Sequence, residues 1–353
     1  MVALLIGVNR TGSVPPPLWS QSDLPTVPSP ADNGWIVLQK GMRSAGRLDI
    51  PSAALSICRA DSAASAEDRW KTLEREKLVV EKFLAEPATV DVLRLVGEAS
   101  GKREFADACE VDAMTSCPFL SLLRAHNAAE LKVLLDAHEN RWSVTWLAAV
   151  RLLGMDLGHL KSARTGFSNM AAIASTSRTV ELLALLAHRY ERRPDGTVAA
   201  DPEVLAGPGA MLDSLSVDGL TMERAVVTEY LFLLSAIDAI QDDPSAAGIS
   251  HRRWDPLFRG FFDPAATRAE LNQYYSTLGA FARSPGKAHP PPPPNLRSGS
   301  LWWVHNAAGK LVLEQGLADF GDVIAQYETR KSALAARVKL VRQALRELEQ
   351  KAD

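Results

Sequence analysis

Four groups of residues have the types and spacing to do chemistry. Cys109 and Cys117, in "DACEVDAMTSCPF", stand with seven residues between them. Thiols so placed could close a disulfide, supply half of a metal site, or be two unrelated buried thiols. An unbroken helix from 109 to 117 would hold their Cα atoms ~12 Å apart, beyond the ~7 Å that a disulfide spans, so a bridge demands a turn between them. Pro118 biases Cys117 toward extended backbone and suits the first position of the helix that follows. A zinc site would need further ligands. Cys58 is distant in sequence, and His126 falls on an apolar helix where a hydrogen-bonded core histidine is the commoner outcome. Spacing alone leaves all three readings open.

The second group is Asp238, Asp242 and Asp243 in "DAIQDDP". One helical turn separates the first two, and paired carboxylates on one face can hold magnesium against a diphosphate, as all-helical isoprenoid synthases do. The spacing is not their Asp-Asp-x-x-Asp, and Asp242 and Asp243 before Pro244 read more simply as a helix stop and a cap. A metal-dependent all-helical enzyme built on this cluster is therefore the alternative reading. The third group is Arg330, Lys331, Arg337, Lys339, Arg342 and Arg346, with no acid from Thr329 to Arg346. A solvated face of a docked helix accounts for it, and contact with an anionic surface is its functional reading. Nucleic acid is not expected as a specific partner, because aromatic interleaving stops at Tyr327 and the net charge of -3 gives no global attraction.

The histidines form the last group, and they are scattered. His138, His159 and His188 fall on or beside leucine-rich helices and read as structural. There is no His-Glu-x-x-His, no phosphate-binding loop and no Gly-x-Ser-x-Gly; "GFSNM" around Ser168 lacks the closing glycine and reads as the opening of a helix. "IGVNRTG" has no strand before it long enough for a dinucleotide fingerprint. No catalytic, cofactor-binding or metal-binding residue is assigned, and no cofactor is expected.

The elements that must position these groups are helical almost throughout. "AEDRWKTLEREKLVVEKFLAEP" has helical spacing from Ala66 and stops before Pro87. From Leu131 to Leu153 apolar residues recur at steps of three and four, with Glu139 and Asn140 predicting a break between two antiparallel helices. "TSRTVELLALLAHRYERRPDG" predicts a helix capped by its Ser and Thr residues, and "TMERAVVTEYLFLLSAIDAIQDDP" predicts the most buried helix. Asp263 and Pro264 mark an N-cap and a first helical position. "DNGWIVLQKG" predicts a turn at Asn33 and Gly34 followed by a short strand.

These elements give an all-α fold: a single helical body of antiparallel packed helices over 32–283, behind an extended proline-rich segment, 1–31. Five consecutive prolines make 284–300 a linker, and 301–353 is a C-terminal helical segment. Tyr327, Lys331, Leu334, Val338, Val341, Leu345 and Leu348 follow a seven-residue rhythm, which predicts docking on the body, with self-association as the second reading. The opening "MVALLIGV" is too short to cross a bilayer.

Three stretches carry a resemblance: "RTGFSNMAAIASTSRTVELLALLA", "ATRAELNQYYSTL" and, most of all, "NAAGKLVLEQGLADFGDVIAQYETRKSALAARVKLVRQALR". Together they resemble a group of uncharacterised proteobacterial envelope proteins. In that group an N-terminal membrane helix precedes a helical soluble part, two cysteines lie close together before the central helices, and a closing segment reads Asn-Pro-x-Gly-Lys. Here Asn306, Gly309 and Lys310 match that pattern, while Ala307 stands where the group has proline. The resemblance implies a periplasmic location, an anchor helix preceding this chain, and no particular activity. It favours a disulfide between Cys109 and Cys117, with Cys58 left as a buried thiol. The expectation for function is a non-enzymatic envelope protein that binds or scaffolds through a protein partner.

Overall fold

The computed structural model describes residues 13–58, 65–109, 117–191, 202–243, 260–284, 290–298, 305–317 and 320–352. Helix makes up 75% of the structure, and the described residues contain no strand, so the all-α class holds. The opening "MVALLIGV" lies outside the described residues.

Local sequence explains most of the boundaries. Helix α4 (Ala66–Ala85) opens on a capping box in which Ser65 and Asp68 satisfy each other's backbone N–H. Pro87 then cannot continue it, but it suits the first position of α5 (Pro87–Ser100), so Glu86 ends one helix and begins the next in extended backbone. The break at Glu139 and Asn140 separates α6 (Phe119–His138) from α7 (Trp142–Ser162), with Asn140 in left-handed backbone at φ 59°. Asparagine tolerates that conformation through its short polar side chain. Asp263 caps α11 (Pro264–Arg283) by accepting from the N–H groups of Ala265 and Ala266, as its sequence indicates.

Three local readings are corrected. The strand over "WIVLQ" is a helix, α1 (Gly34–Gln39): Asn33 Oδ1 accepts from Trp35 N at 3.0 Å, so the turn signal was an N-cap. Its only ladder-like pairing is an isolated bridge from Asn33 to Glu104, too little to extend into a sheet. Helix α8 (Gly166–Glu191) does not start at the Ser and Thr residues but ten residues earlier than Thr176. The hydroxyls of Ser175 and Thr176 instead bond back to the Ala172 carbonyl, at 3.1 and 2.8 Å, which satisfies them inside the helix. The most buried helix is not α10 (Glu223–Asp242), with nine buried residues of 20, but others such as α6, with 13 of 20.

Helix α8 runs through the middle of the body, packed by α6, α7, α10 and α13 (Phe320–Ala352). It is long and apolar enough to cross a membrane by composition, yet 67% of that apolar window is buried inside the body. Helix α13 lies along α8 and α9 (Pro202–Asp213). Its seven-residue stripe faces inward, with Tyr327, Leu334 and Leu345 at most 1% exposed. Lys331, which interrupts that stripe, is buried because its ammonium donates to the Leu220 carbonyl at 3.2 Å and meets Glu328 at 2.6 Å. Short helices α2 (Met42–Ala45) and α3 (Ser52–Cys58) complete the first half, and α12 (Ala307–Leu317) packs on α11.

The proline-rich start crosses the body as a strap. Leu18 N donates to the Tyr230 hydroxyl at 2.8 Å, that hydroxyl donates to Asn272 Oδ1 at 2.8 Å, and Asn272 Nδ2 donates to the Pro16 carbonyl at 2.9 Å. Trp19 meets Tyr230 edge to face at 5.3 Å. These bonds fix an extended segment that has no ladder of its own.

Candidate functional site

Among the described residues an apolar groove lies between α5, α6 and α7. It encloses about 530 Å³. Its walls are Val90, Leu93 and Val96 from α5, Ala129 and Val133 from α6, and Val144, Leu147 and Leu152 from α7. Apolar side chains on helices in a monomeric body normally turn inward, but Val90, Val144 and Leu147 are 50%, 55% and 52% exposed. Gly97 keeps the groove open: a Cβ there would meet nothing within 4 Å.

At its Ser100 and Arg151 end the groove adjoins a second pocket, of about 360 Å³, that shares those two residues. Here the lining is basic, with Lys102, Arg103, Arg151 and Lys161 against the single acid Glu104. None of the four cations makes an ion pair among the described residues. The cations that line the apolar groove itself are engaged, Lys132 by Asp136 at 2.6 Å and Arg94 by Asp91 and Glu98 at 3.9 and 3.8 Å.

The residues with nucleophilic or titratable chemistry lie elsewhere, in the core. Ser168, His159 and Asp107 do come together, each at most 1% exposed. The hydroxyl donates to Asp107 Oδ2, which obliges His159 Nε2–H to donate to the hydroxyl, 3.0 Å away. In a nucleophilic triad the imidazole stands between hydroxyl and carboxylate; here the hydroxyl stands between them. Burial holds His159 below the ordinary histidine range against the pull of Asp107 and Asp156, consistent with that neutral donor. Trp35, Phe105 and Phe119 surround its ring at 5.2, 6.1 and 6.4 Å. Asp107 Oδ1 also accepts from Cys109 N at 2.8 Å, and Asp107 N donates to Ser162 Oγ at 3.0 Å. What this trio does is fix the approach of the chain to Cys109.

A second buried cluster was not read from the sequence. His126 Nε2 lies 2.9 Å from Asp156 Oδ2 and 3.0 Å from Thr179 Oγ1, with Glu130 Oε2 3.8 Å from Nδ1. Burial opposes a charge on His126, but Asp156 and Glu130 outweigh it and push its pKa up to about 10. The imidazolium therefore joins α6, α7 and α8 at neutral pH. The signal was present as a lone histidine in "LLRAHNAAEL" and a lone acid in "LLGMDLGHL", each on an otherwise apolar helix face.

Cys109 and Cys117 stand at disulfide distance, with Cα atoms 6.1 Å apart, half the separation an unbroken helix would impose. Cys58 is free and buried, and burial together with Glu130 holds its thiol protonated. Replacing Cys109 and Cys117 together by serine is expected to cost ~2.5 kcal/mol by loop closure and to lower Tm by roughly 3 °C without loss of fold. Thermal melts of oxidised and reduced protein, with mass counting of alkylated thiols, check this; an unchanged Tm would leave the bridge without a stabilising role.

The acidic cluster has a different setting from a metal site. Arg268 of α11 forms an ion pair with Asp238, and Asp243 forms the C-cap of α10, its N–H donating to the Ala239 carbonyl at 2.8 Å. Among the described residues no three His, Cys, Asp or Glu side chains are grouped to hold a metal ion. Pro244 and the segment that the cap was read as starting lie outside the described residues. On α13, Arg337 reaches Glu181 at 3.7 Å, Arg342 and Arg346 each reach Asp213 at 3.2 Å, and Lys331 is buried as described. Four of the six cations of this group thus contact the body.

No protein-family model matches the chain, and neither a curated protein nor a solved structure is similar to it. Its function is read from the site alone.

Proposed function

We propose that this chain is a non-catalytic binding protein of the bacterial envelope, working on the periplasmic side, with the α5–α6–α7 groove as its contact surface. The observation that carries the reading is the exposure of Val90, Val144 and Leu147 around one concavity of about 530 Å³. That volume lies within the ~300–1,000 Å³ of ordinary ligand sites, and leaving such side chains in water costs stability unless a ligand or partner covers them. The cysteine pair supports an oxidising compartment, where a bridge persists. The reactive side chains of the core, by contrast, are enclosed and hydrogen-bonded to one another.

The test uses the uncharged fluorophore N-phenylnaphthylamine, which brightens on entering an apolar site. The folded protein is expected to bind one molecule per chain saturably, and Leu147→Asp is expected to abolish the signal while leaving the melt unchanged, since Leu147 is half exposed. Absence of saturable binding, or binding that survives Leu147→Asp, would remove the groove as the working surface.

A further inference from the structure

We infer that the occupant of the groove is a single-chain anionic amphiphile: one alkyl chain along the apolar walls, its carboxylate or phosphate headgroup among Lys102, Arg103, Arg151 and Lys161. The inference rests on the groove reading above and adds the ligand's chemical class.

Unpaired charge gathers at one end of the run: the apolar groove also carries Arg94, Lys132 and Asp136, but these are ion-paired, whereas Arg151 and the cations beyond it are not within the described residues. On α7 the lining runs Val144, Leu147, Ala148, Arg151 and Leu152, then Gly154, Met155, Gly158 and Lys161. From Val144 to Leu152 is eight helical rises, ~12 Å. This matches the ~15 Å that one leaflet contributes to a ~30 Å hydrocarbon core, so the apolar stretch has the length of an acyl chain. From Val144 to Lys161 is ~25 Å, which leaves the second half of the run for a headgroup. Arg151 lines both pockets and stands at the junction, where the first polar atoms of such a ligand would lie.

Charge decides the sign of the headgroup. Four cations face one acid, and none of the four is paired within the described residues, whereas Arg94, Lys132 and Arg141 nearby each have a carboxylate. Unpaired like charges drawn together repel one another, and an anion at the centre removes that repulsion. A partner helix would lay apolar and charged residues side by side along its length; here the uncompensated charge lies at one end only, as it does in an amphiphile.

Isothermal titration with palmitate, lysophosphatidate and the uncharged monopalmitoylglycerol, each below its aggregation concentration, tests the proposal. Both anions are expected to bind one per chain and at least about tenfold more tightly than the neutral ester, at a strength that falls with added salt. The tighter of the two identifies the headgroup as phosphate or carboxylate. Lys161→Glu, which lies outside the apolar groove, is expected to weaken the anions about tenfold or more and to leave N-phenylnaphthylamine unaffected; Arg151→Glu should weaken the anions likewise. Both residues are exposed and unpaired, so the fold is retained, as a melt will show. Equal affinity for the neutral ester, or indifference to both charge reversals, overturns the inference. If the fluorophore still binds in that case, the groove reading stands; if it does not, both fall.

Discussion

Replacing His126 with leucine is expected to lower Tm by roughly 4–7 °C at neutral pH and to remove a slope from the pH dependence of stability. The side chain is 1% exposed, and its removal leaves Asp156 and Glu130, both buried, without their cation. Breaking a buried charge pair from one side costs ~3–5 kcal/mol, because the remaining buried charge loses its counter-ion. At ~2.1 cal/mol/K per residue the unfolding entropy of this length converts that loss to the stated Tm shift. The pH argument follows from the sign of the shift. His126 titrates at about 10 when folded, above its ordinary 6.5, so its contribution is complete below about pH 6.5 and is lost as pH rises from there toward 10. Stability of the native protein should fall by ~1.4 kcal/mol per pH unit across the lower part of that window. His159, held below its ordinary value, acts in the opposite direction and only on the acid side. Cys58 and the buried tyrosines are shifted upward and act only at more alkaline pH, while Glu181, Glu229 and Glu270, raised by burial, act in the same direction as His126 from the acid side, so the part of the slope between about pH 6.5 and 8.5 that His126→Leu removes is the part owed to His126. A variant that melts with the native protein and keeps the native slope would show that His126 is neutral in the core.

The second large effect is expected at Gly309→Ala. Asn306 is fully buried in left-handed backbone at φ 51°, and its Oδ1 accepts from Asp263 N at 3.0 Å and from Thr267 Oγ1 at 3.1 Å. This ties the start of α12 to the start of α11. A Cβ on Gly309 would fall inside contact distance of both Thr267 Oγ1 and Asn306 Oδ1, so it must push apart the atoms that make the clasp. Overpacking of this kind costs ~1–3 kcal/mol, and here it also loosens buried hydrogen bonds, so about 3 kcal/mol is expected. Thr267→Ala alone removes one obstacle together with the hydroxyl's hydrogen bonds to the Asp263 carbonyl and the Asn306 amide. In the double variant the losses should not add, because the methyl introduced at position 309 takes the space that the hydroxyl leaves. Strict additivity in denaturant melts would show that the clash lies elsewhere. The Asn-x-x-Gly-Lys segment, which carried the family resemblance, is thus explained at Asn306 and Gly309 by how two helices are joined. Ala307 occupies the first helical position of α12, the place where proline is best tolerated.

Much of the scaffold was legible because its signals are local. Ser65 with Asp68, Pro87, Asn140 and Asp263 with Pro264 each act within one turn of backbone, and the stripe from Tyr327 to Leu348 is a period. Where a local signal has two outcomes the reading failed. Asn33 starts a helix as readily as it makes a turn, and only the absence of a neighbouring strand decides. Thr176 caps a helix or bonds inside one, and the apolar stretch before it decides. The His126 cluster joins residues 30 and 53 positions apart, which no spacing rule reaches. The groove was illegible for a related reason: Val144 and Leu147 are ordinary apolar residues on an ordinary helix, and their exposure is set by how three helices assemble around one concavity.

Native mass spectrometry of the protein recovered oxidised from the periplasm, beside its Leu147→Asp variant, tests the binding claim most directly. The account predicts a mass two hydrogens short of the fully reduced chain, for the Cys109–Cys117 bridge, and one small anionic amphiphile held per chain. The variant should keep the bridge and lose the adduct. A native protein that carries no adduct and takes up none from palmitate or lysophosphatidate, or an adduct that the variant retains in full, would contradict it.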